Sequence, residues 1–411
     1  MANGPALGWN CRAVDARLRE AFEAFDAAAD PEWSPVRQAA FGRLRELGIP
    51  TARHEAFTYA NPAPWFGSAG AEPFFAPAPP SAPRDRSPAL PVCPNALCMR
   101  FPGDGENLLE EEVLRAEALT DPLELLALSF ADDFLHVTVP SAGDEALARI
   151  VVAPLPAPEG RRRTTAVRVK IAPSARAELD VLPAAADGDS DSWRHLSLFV
   201  ELGAGARLDL VRAQPAPRDL VVTSSVAVRQ AEGSVLRVRE ADGGGRLARE
   251  HLEIHLDGPG ARCDLRSLAV LRGESELHRH VEVFHHAPAC SSDQLYRQIL
   301  FDSSFASVDG TVRVDRGADG TESNQLVRSL LLGENCAAAG KPQLLIHADD
   351  VQCDHGATHG PIEESELFYL LSRGLSPDEA RLALIRGFAQ EMVDAFPEGE
   401  LKTVAGTQVR P

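Results

Sequence analysis

At 411 residues the chain is longer than a typical single domain, and its 44% hydrophobic and 25% charged residues predict two or three units with a substantial core. A formal net charge of −19 excludes the basic footprint that nucleic acid or an anionic membrane would need, and leaves a basic protein partner as the electrostatic option. Seven scattered cysteines argue against a disulfide framework, and neither a secretory signal nor an apolar membrane span is visible, so reduced thiols and a cytoplasmic location are expected.

In chain order, residues 1–60 read as an N-terminal helical region, with apolar residues at helical spacing between about Cys11 and Leu47 and turns at Asp30–Pro31 and Gly48–Pro50. Residues 61–92, dense in proline and alanine, read as an extended linker. From 93 to 355 the pattern becomes short strands of alternating apolar and polar residues, the first drawn through Leu125–Val139. Gly203, Gly233 and Gly258 punctuate them at near-regular spacing. That spacing suits the coils of a solenoid, and an antiparallel sandwich would give a similar string, so the residues alone leave both open. Residues 356–411 predict a C-terminal helical hairpin and tail. Gly374 ends the first helix, Ser376–Pro377–Asp378–Glu379 forms a capping box for the second, and Pro397 lies beyond its end.

Nine of the twelve histidines lie after residue 250. His251, Glu253 and His255 share one polar strand face, which reads first as a solvated sheet surface. His278 and His280 form a His-x-His pair of the kind that begins cupin-type metal sites, with Glu276, Glu282, His285 and His286 as further ligands. A metal-dependent β-protein enzyme built on that pair is the alternative reading. Cys93 and Cys98 lack the second pair a structural zinc needs, Cys263 and Cys290 read as buried thiols, and Cys336 sits in a turn. Cys353 and His355, two apart after an apolar run, would share a strand face. A charged imidazole there would favour the thiolate, and Gly356 would free the backbone to turn away. No P-loop, G-x-S-x-G or H-E-x-x-H motif occurs, so the chain is not expected to hydrolyse ATP by itself.

The segment Ala348–Thr358, with Cys353 and His355 at its centre, and the following helical stretch to Phe388 resemble the C-terminal signature of the SufB/SufD family of iron–sulfur cluster assembly proteins, in its SufD-type form. Asp354 stands where that form usually carries serine. Ser292–Gln294, Ser329–Leu332 and Gly48–Tyr59 add weaker matches. The resemblance decides for a mainly β fold, a right-handed parallel β-helix core flanked by N- and C-terminal helices. It implies a non-catalytic scaffold subunit pairing through its β-helix edge with a SufB-like homologue, or with a second copy of itself when alone. It further implies that a transient iron–sulfur cluster shared with the partner meets this chain at His355, the metal-ligand candidate, and Cys353. A SufC-like ATPase would dock on the C-terminal helices around Leu367, Phe368, Tyr369, Arg373, Ala380 and Phe388, so that ATP acts only through that partner. Reduced flavin is a further ligand the resemblance allows. Val327 replaces the cysteine of SufB-type chains, and Gly356 their glutamate after the histidine, so this face alone would not complete a cluster site.

Overall fold

The computed structural model describes residues 14, 16–51, 53–66, 97–99, 106–141, 147–152, 162–182, 193–214 and 220–409. Most of the 61–92 linker, and the side chains of Cys93 and Cys98, lie outside them.

Among the described residues, two sheets of nine and eight strands form the core, and from Asp133–Val139 onward consecutive strands alternate between them. Leu247–Leu256 lies in the first sheet, Arg262–Leu271 in the second, and Glu276–His285 returns to the first. Every pairing is parallel except that of Leu97–Met99 with Asp133–Val139, so the chain winds as a parallel β-solenoid, as the resemblance implied. The sandwich alternative is excluded by that direction.

Alternation within each strand makes the core. Val200, Val228, Ile254, Val283 and Val312 stack in register, and each is fully buried. Each such side chain contributes about 1.5–3 kcal/mol of transfer free energy. The corners between sheets depend on tight turns. Gly258 lies so close to the preceding coil that a Cβ would stand 2.0 Å from the amide nitrogen of Glu232, and Gly233 holds a left-handed φ of 62°.

Helices cover the outer faces. Ala16–Ala28, Ser34–Leu47, Glu106–Ala118 and Pro122–Ser129 form a second core with the buried Trp65, against Ala166, Trp193, Val221 and Leu247 of the first sheet. Here one expectation is corrected: Leu125–Ser129, read as the start of a strand, belongs to a helix. Asp121 starts that helix by accepting from the N–H groups of Leu123 and Glu124, and every helix residue is buried, so its apolar run carries no helical period. On the second sheet, Pro377–Asp394 packs over Leu268, Val270, Leu295 and Ile299. A third helix, Glu400–Gln408, lies where the sequence suggested only a tail; Leu401 and Ala405 pack on Val211 and Ala213.

Candidate functional site

The solenoid ends on two edge strands, Ala337–Ile346 in the first sheet and Val351–Gly360 in the second. Among the described residues neither has a neighbour on its far side, so each presents unpaired backbone groups. Gly356 is not a turn. It sits mid-strand in register with Leu326, and the strand runs on to Gly360.

Cys353, His355, Ala357 and His359 pair with Ser323, Gln325, Val327 and Ser329, all four of which are buried. The last-strand residues therefore point along the solenoid's interior side, and they are accessible only because no further coil lies over them. The columns they terminate change character toward this end. One runs Ile150, Leu179, Leu210, Val238, Leu265, then Gln294, Gln325 and His355. The next runs Leu208, Leu236, Cys263, then Ser292, Ser323 and Cys353.

The polar residues of these columns are joined. Gln325 Nε2 donates to Gln294 Oε1 at 3.1 Å, which also accepts from Tyr296 Oη at 2.9 Å. His285 Nε2 and Ser292 Oγ are 2.9 Å apart, as are the hydroxyl oxygens of Ser292 and Ser323. Gly310 makes room for this layer, since a Cβ there would lie 2.3 Å from Gln325 Nε2.

Burial pushes the Cys353 thiol above its ordinary value, and the Asp354 carboxylate adds to the effect. The expected thiolate is thus corrected: a partner charge or a metal is required to release that proton. His359, not singled out in the sequence, is better defined. The Ser329 hydroxyl donates to Gln298 Oε1 at 2.7 Å, so its oxygen accepts from His359 Nδ1 at 2.9 Å. Burial lowers the proton affinity of this imidazole, and in the neutral ring the network leaves the Nε2 lone pair, lying over Gly340, as the ligand position. The spacing of His355 and His359 was the available signal, because both fall on one strand face.

These residues do not close on one ion. Among the described residues, the groups of three potential ligand atoms within 4.8 Å of one another lie elsewhere. Val327 is fully buried one coil below Ala357, an aliphatic residue that offers no ligand atom.

The His278 and His280 pair does not converge either. His278 turns to Ser307 Oγ at 3.0 Å and Glu276 at 3.3 Å, whereas His280 faces Glu282 and Asp309. Arg279 between them points inward, to Glu250 at 2.7 Å. On the C-terminal hairpin, Ser376 and Glu379 form the expected capping box. Glu364–Ser372 buries none of its residues, with Phe368 72% and Tyr369 54% exposed. One docking candidate, Ala380, is corrected. Ala380 is fully buried, whereas Phe388, under Arg297 and Arg328, is half-buried like Leu367, and Phe368, Tyr369 and Arg373 are exposed.

A family model described as the SUF system FeS cluster assembly, SufBD core domain, matches residues 158–388, which include both edge strands, the helix Glu364–Ser372 and most of the helix Pro377–Asp394. The chain belongs to the SufBD family. It is 38% identical over 184 residues to Protein ABCI7, chloroplastic, of Arabidopsis thaliana (44% of this chain, 39% of that one). Over 159 residues it is 33% identical to the iron–sulfur cluster assembly protein SufD of Escherichia coli (39% of this chain, 38% of that one). It is 31% identical over 143 residues to SufD of Bacillus subtilis (35% of this chain, 33% of that one). The matched stretches span about two fifths or less of these relatives' length. None of its described helices is long and apolar enough to cross a membrane.

Proposed function

We propose that this chain is a SufD-type scaffold subunit, without catalytic activity of its own, whose open solenoid end is the assembly face. The observation that carries the reading is the inward-facing set Cys353, His355 and His359, left uncovered between two unpaired edge strands. A SufB-like solenoid meeting that end would continue the strand pairing and enclose the three side chains. Imidazole nitrogen and thiolate sulfur are suited to iron, and a shared cluster, here the cargo, would take its remaining ligands from the partner.

The exposed helix Glu364–Ser372 offers Leu367, Phe368, Tyr369 and Arg373 to a SufC-like ATPase, through which ATP would act. An aromatic anchor beside a cation is the usual composition of an interface hot spot. Free thiols at Cys263, Cys290, Cys336 and Cys353 fit a reducing compartment such as the cytosol. The same edges would support a homodimer in the partner's absence.

The test is anaerobic purification of the tagged chain from its native host, followed by identification of bound proteins. Recovery of a second solenoid homologue and a P-loop ATPase is the expected result. Recovery of the chain alone, from cells that express both candidates, overturns the reading.

A further inference from the structure

Away from the solenoid interior, two histidines and a glutamate meet on the outer face of the first sheet. His251 and His280 are register partners on adjacent strands, and Glu282 follows His280 by two residues, so all three side chains leave the same face. The two rings are 5.2 Å apart at their centroids. Glu282 Oε2 lies 3.3 Å from His251 Nε2 and 3.6 Å from His280 Nε2. One ligand atom from each residue falls within 4.8 Å of the others. Ligands held at zinc-like bond lengths around a tetrahedral ion stand about 3.4 Å apart, so the cluster needs little adjustment to close on one.

A second, independent feature lies behind the rings. The Nδ1 of His251 faces Asp121 Oδ2 at 3.3 Å, and the Nδ1 of His280 faces Asp309 Oδ2 at 3.6 Å. Metal-bound imidazoles give their other N–H to a carboxylate, which fixes ring orientation and tautomer. Asp121 is itself fixed, accepting from two helix N–H groups and from Arg249 at 2.9 Å, while Asp309 is 3.6 Å from Lys341. Side-chain exposure rises from 6% at His251 through 14% at His280 to 31% at Glu282, so the cluster is closed beneath and open above the glutamate.

We propose that His251, His280 and Glu282 form a binding site for one divalent transition-metal ion of the zinc, iron(II) or cobalt(II) type, with water in its remaining positions. Two imidazoles and one carboxylate with open positions suit these ions, and an all-oxygen preference excludes magnesium and calcium. The site stands independently of the assembly reading, because none of its three ligands lies on the two edge strands or on a partner. The competing occupant is a pair of protons, with both rings held as imidazolium by the same carboxylates.

The full chain, stripped with chelator, is titrated with cobalt(II) and the d–d absorption followed, then displaced with zinc. One saturable equivalent is expected, weakened at least tenfold in Glu282→Gln and His280→Gln. Asp309→Asn, which removes only the carboxylate behind the ring, weakens it by about 10–100-fold. His255→Gln serves as the control for the neighbouring group of His255, Asp257 and His286, and leaves binding unchanged. Thermal melts show that each variant folds. No saturable binding in the native chain, binding intact in folded Glu282→Gln and His280→Gln, or loss in His255→Gln instead would overturn the proposal.

Discussion

His355 stands one coil beyond Gln325 in the same inward-facing column, yet Gln325 is sealed inside the solenoid and His355 is exposed. The difference arises from position in the stack, since both side chains leave the second sheet on its interior side. An imidazole aimed along a core but left uncovered is placed for an incoming surface. His355→Ala is therefore expected to shift stability by no more than about 0.5 kcal/mol, as for an ordinary surface change, while iron–sulfur cluster assembly is lost in a strain that depends on this chain. Thermal melting and the activity of a cluster-dependent enzyme give the two readouts.

Gly310 and Gly340 clear space in the first sheet for side chains of the second. A methyl at Gly310 would meet the buried Gln325 at 2.3 Å, whereas one at Gly340 would meet His359 at 3.0 Å, beside solvent. Gly310→Ala is expected to cost about 1–3 kcal/mol as overpacking. Gly340→Ala costs about 1 kcal/mol, because His359 swings outward and gives up one hydrogen bond to Ser329. Urea denaturation of the two variants ranks them.

Inside the solenoid, Arg212 and Arg279 meet three carboxylates, Glu240, Asp242 and Glu250. With one carboxylate in excess, burial raises Asp242 from its ordinary 3.8 to about 7, and the nearby Glu250 charge adds to the shift. A buried acid whose folded value exceeds its unfolded one binds its proton more tightly when folded. Its stabilising contribution is complete below pH 3.8 and is lost as pH rises to about 7. Asp242→Asn, which can still accept from the Gly244 N–H, should flatten the fall in melting temperature across that window. An unchanged slope would show that Asp242 ionises freely.

Phe368 and Tyr369 are exposed on a helix with no buried residue. Phe368→Ser and Tyr369→Ser should leave the melting temperature unchanged while costing about 2 kcal/mol or more of affinity for the ATPase partner, as for hot-spot aromatics. Titration calorimetry with the purified partner reads the loss.

Much of the fold was legible because alternation and glycine spacing are local. Gly203, Gly233 and Gly258 mark corners, two of which, Gly203 and Gly258, press on the coil before them, and the capping box at Ser376–Glu379 appears as written. Leu125–Ser129 was misread because a fully buried helix and a buried strand share an apolar run. At the site, the shared face of Cys353 and His355 followed from strand periodicity, but its inward direction did not, since that is set by register with Ser323 and Gln325. The raised thiol of Cys353 depends on the same burial. His251 and His280 were each visible, yet their meeting is made by strand pairing, which a His-x-His spacing cannot reveal.

The central claim is that the solenoid's open end receives the partner, and amide hydrogen exchange tests it most directly. Exchange would be followed at Ala337–Ile346 and Val351–Gly360 in the free chain and at saturation with the SufB-like partner. The account predicts fast exchange at the outward amides of both strands in the free chain and strong protection in the complex. Unchanged exchange in these strands, with protection elsewhere, would contradict it.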